Sequence, residues 1–195
     1  MGVSALRVIN DDKVAPGAGF APHSHQDMEI ISYVKRGSIE HQDSMGNVER
    51  LPAGEFQLMS AGTGVTHSEY NPSKSEALEF LQIWVVPNVV GIKPGYQQKR
   101  FAPHTGLQLI ASADAREGSL RLHQDAELWQ CRLNTGDKAA HRLAAGRNAY
   151  VHVVNGSLVI NGEVLQEGDG MAIKDVAELT ITADGETEAL LFDLP

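Results

Sequence analysis

The chain has 195 residues, 42% hydrophobic and 21% charged, which suits one large or two small globular domains with a buried core. Lys plus Arg number 16 against 25 Asp plus Glu, a formal charge of −9; an acidic surface repels phosphate backbones, so direct nucleic-acid binding is not expected. The single cysteine, Cys131, rules out an internal disulfide and a cysteine-rich zinc site, and no stretch approaches the ~18 apolar residues that a membrane span needs.

Residues 1–12 lack a charged start followed by a long apolar core, so no secretion signal is expected and the default address is the reducing cytoplasm. His23-Ser24-His25 then places two imidazoles at i and i+2, which share one face of a β-strand. Glu29–Val34 is a mostly apolar run stopped by Gly37, and the segment 38–41 leads into the turn cluster 43–47. Another turn is expected at 51–55, followed by alternation over 56–59. His67-Ser68-Glu69 repeats the i, i+2 spacing with a carboxylate as the second member. Two such strands facing each other bring three imidazoles and a carboxylate to one point, a shell for a mid-row divalent metal that leaves positions open. Gly62-Thr63-Gly64 looks like a phosphate loop but precedes a strand-like segment, not a helix, and is discarded. The longest strand candidate is 78–86; 87–103, with Pro87, Gly91, Pro94 and Gly95, reads as a connection.

Further strands are expected at 107–111, 120–123, 127–133, 150–154, 158–160, 171–173, 179–182 and 189–192, and no window shows a capped apolar stripe at helical spacing. The halves resemble each other: 33–39 matches 152–158 and 51–55 matches 165–169, with Asn155-Gly156 and Asn161-Gly162 as turn dipeptides. Equal offsets from Gly156 and Gly168 put Arg142, Ala144, Ile181 and Ala183 where His23, His25, His67 and Glu69 stand, so the second half does not repeat the metal shell. His41, His104, His123, His141 and His152 read as isolated surface or core residues, and Cys131 as a buried inert thiol. Phe20 and Trp84 line a pocket or pack in the core.

The spacing from Gly17 through His23, His25 and Glu29 to Gly37 resembles the first cupin motif, and Gly54, Ser60-Ala61-Gly62, His67 and Asn71 resemble the second, with Ser60 where Pro is usual. More narrowly, 42–47 and 52–72, with 81–84 and 91–94, are similar to the bacterial pirins. The resemblance covers about 4–101 closely and is loose beyond 105. It implies an all-β fold of two cupin-type β-barrels in tandem: residues 1–100 as the barrel with the metal, and 101–195 as a barrel without one. It implies one divalent metal on His23, His25, His67 and Glu69, Fe(II) before Cu, Ni, Co, Mn or Zn. The general cupin pattern would take Glu29 as the carboxylate. Glu29 lies i+4 from His25, on the same strand face but ~13 Å away at ~3.3 Å per residue, so it reads as an acid at the barrel mouth. The implied chemistry is quercetin 2,3-dioxygenase-like cleavage of a flavonol by O2, with Glu69 as catalytic base. The implied alternative is an iron-binding, redox-sensitive regulator acting through transcriptional or metabolic protein partners. Family chains usually begin some tens of residues earlier, and a missing strand there would open a sheet edge.

Overall fold

The computed structural model describes residues 2–195, which are almost wholly strand. They divide into two compact units. The first comprises Gly2, Leu6–Phe101 and Leu122–Gln124; the second comprises Val3–Ala5, Ala102–Arg121 and Asp125–Pro195.

The first unit holds β1 (Leu6–Val14), β2 (Gly19–His25), β3 (Glu29–Arg36), β4 (Ser38–Asp43), β5 (Val48–Pro52), β6 (Glu55–Ser60), β7 (Val65–Tyr70), β8 (Leu78–Val85) and β9 (Gly95–Arg100). They form a five-stranded sheet, β1-β8-β3-β6-β9, and a four-stranded sheet, β2-β7-β4-β5, all antiparallel. Side chains bridge the sheets: Ser32 on β3 bonds Glu69 on β7, and Gln57 on β6 meets His41 on β4. The two sheets are therefore packed face to face. Apolar clusters flank that polar interior: Val34, Ile39, Leu51, Leu78 and Phe80 form one, and Ile30, Met59, Ala61 and Val65 another, with Met28 and Trp84 against the latter.

The second unit holds β10 (Gly106–Ser112), a 3-10 turn (Arg116–Gly118), β11 (Leu120–Arg121), β12 (Glu127–Leu133), β13 (Lys138–Arg142), β14 (Asn148–Asn155), β15 (Ser157–Ile160), β16 (Glu163–Gln166), β17 (Gly170–Ile173), β18 (Glu178–Ala183) and β19 (Thr187–Leu194). Its sheets are β11-β10-β12-β19-β14-β17 and β13-β18-β15-β16. From β12 to β19 the pairings repeat those of β1 to β8 strand for strand: β12 takes the place of β1, β13 of β2, and so on. The internal repeat read from the sequence is thus a repeat of ladders. Gly37 and Gly156 hold the same left-handed turn (φ 83° and 80°), and a Cβ on Gly156 would sit 2.4 Å from the Glu186 carbonyl. Asn161 and Gly162, both at positive φ, form the two-residue hairpin between β15 and β16.

Three expectations need correction. The segment 87–103 is more than a connection, because its residues 95–100 form β9, paired with β6 throughout. Leu51 and Pro52 end β5 instead of opening a turn. The strand expected at 120–123 stops at Arg121; the next three residues join the first unit, where Asn88 N donates to the His123 carbonyl and Gln124 Nε2 to that of Val86. Cys131 is buried as expected, and burial pushes its thiol up to about 12. No helix among the described residues is long and apolar enough to cross a membrane.

Candidate metal centre

The β2–β7 ladder sets His23 directly opposite His67, with Ser24 opposite Thr66 and His25 opposite Val65. Alternation turns His23 and His25 to one side of β2, and His67 and Glu69 to one side of β7. The three rings converge, with centroids 4.9 Å (His23–His25), 4.5 Å (His23–His67) and 5.0 Å (His25–His67) apart. One ring nitrogen from each lies within 4.8 Å of the other two. His23 Nδ1 donates to the Ala21 carbonyl at 2.8 Å, which leaves Nε2 as the lone-pair nitrogen. His25 Nε2 and both nitrogens of His67 are buried without a hydrogen-bond partner. Buried imidazole nitrogens are normally satisfied. Orphaned nitrogens on His25 and His67, with one nitrogen from each of the three rings brought within 4.8 Å, make a cradle whose donor set fits a divalent transition metal.

Electrostatics agree. Burial pushes His67 down to about 3, helped by its neighbours His23, His41 and His25 and opposed by Asp43. Burial, then His23, lowers His25. These rings are neutral and ready to bind a metal at physiological pH. Burial raises Glu69 to about 7, against the hydrogen bond from Ser32 Oγ to Oε1 (3.2 Å) and with some help from Asp12; Gln82 Nε2 donates to Oε2 (2.7 Å) and opposes the rise. Gln82 is itself held by Trp84 Nε1 at 3.2 Å.

Of the four expected donors, His23, His25 and His67 form one group; Glu69 falls in a second, with His67 and His41, also within 4.8 Å. His67 belongs to both. Glu29 falls in neither. Its Oε2 accepts from Ser60 Oγ (3.0 Å) and from the backbone N–H of His123 (3.2 Å), with His123 Nδ1 at 3.3 Å. Ser60, standing where the cupin motif usually has Pro, thus serves the buried Glu29. Asn71, the last residue of that motif, donates to the carbonyls of Val14, Ala15 and Glu76 and pins the chain after β7. Trp84 packs its ring 5.1 Å from that of His25, and Phe20 packs edge-on against Phe80. A cleft of about 230 Å³ lined by Pro22, Gln42, Asp43, Ser44, Thr66, His67 and Ser68 opens beside the group.

The isolated histidines are mostly not isolated. His41, His123 and His141 each meet a carboxylate, at 3.0 Å (Asp43), 3.3 Å (Glu29) and 2.8 Å (Asp193). For His41 a signal was available: His41-Gln42-Asp43 is a third tripeptide with the i, i+2 spacing.

Strand register also corrects the equivalences in the second half. His141 lies opposite Leu179 as His23 lies opposite His67, and Ile160 lies opposite Ile181 as His41 lies opposite Glu69. The counterparts of His23, His25, His67 and Glu69 are therefore His141, Leu143, Leu179 and Ile181, not Arg142, Ala144, Ile181 and Ala183. Equal offsets failed because the loops between strands differ in length. Leu143, Ile160, Leu179 and Ile181 share one apolar cluster.

Two family models match the chain: "Pirin" over residues 1–85 and "Quercetinase C-terminal cupin domain" over 109–194. The quercetin 2,3-dioxygenase of Escherichia coli K12 is 54% identical over 195 residues, covering all of this chain and 84% of that protein. A pirin-like protein of Caulobacter vibrioides is 40% identical, covering 99% and 84%. Among solved structures, the E. coli bacterial pirin YhhW in complex with nickel(II) superimposes with a TM-score of 0.97 at 54% identity, over all of this chain and 84% of that one. The ladder repeat, the histidine convergence and these likenesses agree that the chain belongs to the pirin family of bicupin proteins.

Proposed function

We propose that this protein is a metal-dependent dioxygenase of the pirin type that cleaves flavonols such as quercetin with O2. The observation that carries the reading is the convergence of three imidazoles, two of which, His25 and His67, keep buried nitrogens without a hydrogen-bond partner. The likeness to a named quercetin 2,3-dioxygenase supplies the substrate class. In this reading His23, His25, His67 and Glu69 hold one divalent cation in the barrel of residues 1–100, and the barrel of 101–195 holds none. Fe(II) is the native ion in this reading; the nickel(II) found in the related E. coli pirin supports a divalent metal at the site. The bound ion supplies Lewis acidity and redox capacity to the flavonol and O2.

The chain's own residues do the rest. The Ala21 carbonyl fixes the tautomer of His23. Trp84, Val65 and Met28 build a dry wall beside the histidines. Glu69 accepts the 3-hydroxyl proton of the flavonol on a carboxylate oxygen; a carboxylate on a cation is too acidic for that, so Glu69 would swing off the ion, where its burial favours the protonated form. Ser32 and Gln82 orient the carboxylate. A cytoplasmic address goes with this reading, because a lone buried thiol suits a reducing compartment.

Oxygen uptake with quercetin, measured on protein loaded in turn with Fe, Ni, Co and Cu, tests the activity. Uptake that tracks metal content is expected. No uptake with any ion would replace the enzyme with the regulatory reading. Glu69→Gln that retains its metal is expected to lose about 10²–10⁴-fold in turnover, and undiminished turnover would refute the base role.

A further inference from the structure

His41 is fully buried on β4, where the β4–β7 ladder places it opposite Glu69; Asp43, two residues on and on the same face, is opposite His67. The His41 ring sits between those of His67 (centroids 5.4 Å) and Tyr96 (4.9 Å). His41, His67 and Glu69 could by their spacing hold a cation themselves. But the nitrogens of His41 are engaged. Nε2 lies 3.0 Å from Asp43 Oδ2, and Nδ1 lies 3.5 Å from Gln57 Nε2, which can only donate. His41 therefore gives its N–H to Asp43 and is an outer group, not a ligand.

Asp43 is the end of this chain of contacts. Its side chain is fully covered, and four donors converge on it. Oδ1 accepts from the amides of Met45 (2.9 Å) and Asn47 (3.1 Å), and Oδ2 from Asn47 Nδ2 (2.8 Å) and His41. A carboxylate so surrounded is a fixed anion. Three neutral imidazoles and one carboxylate cancel only half the charge of a dication. The nearest further negative charge built into β4 is Asp43, facing His67.

We propose that Asp43 and His41 form an outer pair of the metal centre: Asp43 supplies a second fixed negative charge, and His41 holds the His67 ring and the Glu69 carboxylate in their binding positions. Both are positioning residues, and the inference rests on the metal centre proposed above. The second barrel supports it independently. Counting from Gly156 as from Gly37, His41 and Asp43 correspond to Ile160 and Gly162, so the outer pair is missing from the same barrel that lacks the ligands. Partners of ligating histidines commonly change metal affinity about 10–100-fold when removed.

The test uses the full chain and Co(II). Wild type, Asp43→Asn and His41→Gln are titrated with Co(II) against a chelating dye, the visible cobalt bands are recorded, and circular dichroism checks the fold. Wild type is expected to bind one Co(II) per chain. Each variant is expected to bind it about 10–100-fold more weakly, with displaced bands, which a merely structural role would leave in place. Wild-type affinity and bands in both variants would overturn the proposal while leaving the centre intact. Failure of wild type to bind Co(II) would overturn the centre and this inference together. Should His41→Gln not fold, Asp43→Asn decides alone, because it removes the charge and keeps the shape.

Discussion

Inside the first barrel, Ser32, Gln57 and Gln82 on one sheet face His41, His67 and Glu69 on the other. Inside the second, the same ladder positions hold Val151, Met171 and Leu191 facing Ile160, Leu179 and Ile181. The strand order is the same and six inward positions have changed from polar to apolar. The one surviving histidine, His141, is turned to Asp193, which Arg147 also binds. A cupin barrel thus tolerates either filling, but the two fillings differ in energy. Buried polar groups cost free energy unless each finds a partner. In the first barrel nitrogens of His25 and His67 find none among the described residues; the second has a mainly apolar core. The first barrel gives up stability at the positions where its histidines converge.

Breaking the comparison at its strongest point has the largest effect. His67→Ala is expected to abolish metal binding and to cut flavonol-dependent oxygen uptake by about 10³-fold or more, the scale of a lost Lewis acid. His141→Ala, at the topological counterpart of His23, is expected to leave metal content and uptake unchanged. Elemental analysis beside the oxygen assay reads both, and a metal loss in His141→Ala would dissolve the distinction between the barrels.

A pair of stability measurements sharpens it. Leu179→Ala is expected to destabilise the protein by about 2–5 kcal/mol, as a core truncation does. His67→Leu, at the equivalent position, is expected to stabilise the metal-free protein by about 1–3 kcal/mol, because it removes two unpartnered buried nitrogens. Urea unfolding after chelation gives both signs, and destabilisation by His67→Leu would contradict the argument.

The smallest effect is protonic. With its carboxyl near 7, Glu69 is protonated at pH 6 in the metal-free chain and must ionise to bind a cation, whereas His67, near 3, is already neutral. Loading at pH 6 should release about one proton per chain, and less as the pH rises past 7, so affinity falls as the pH drops through that value. Calorimetry in two buffers of different ionisation heat counts the proton. In the second barrel the counterparts of His67 and Glu69, Leu179 and Ile181, carry no titratable group.

The architecture and the three converging histidines were legible because each rests on a short spacing rule: period two along a strand, and a glycine turn between strands. Polar strands were not legible. β9 reads Gly-Tyr-Gln-Gln-Lys-Arg, with no alternation to announce it, and is fixed by pairing with β6. Nor was the placing of Glu69, which sits closer to His41 and His67 than a single four-donor cluster would have it. His41 was overlooked because it was weighed alone, though Asp43 two residues on repeats the pattern of the other two tripeptides. The second-half equivalences were misplaced by one or two residues because offsets along a chain do not register loop length, whereas hydrogen-bonded pairs do.

One small feature bears on how this molecule could be taken apart. The three residues Leu122–Gln124 are counted with the first barrel, where the His123 amide caps the hidden acid Glu29. A gene fragment ending near residue 101 would therefore encode every expected ligand and still lack the backbone N–H that hydrogen-bonds its buried carboxyl. Anyone wanting a minimal catalytic module should rebuild that loop or replace Glu29, and should expect the natural cut between the halves to be the wrong place for scissors.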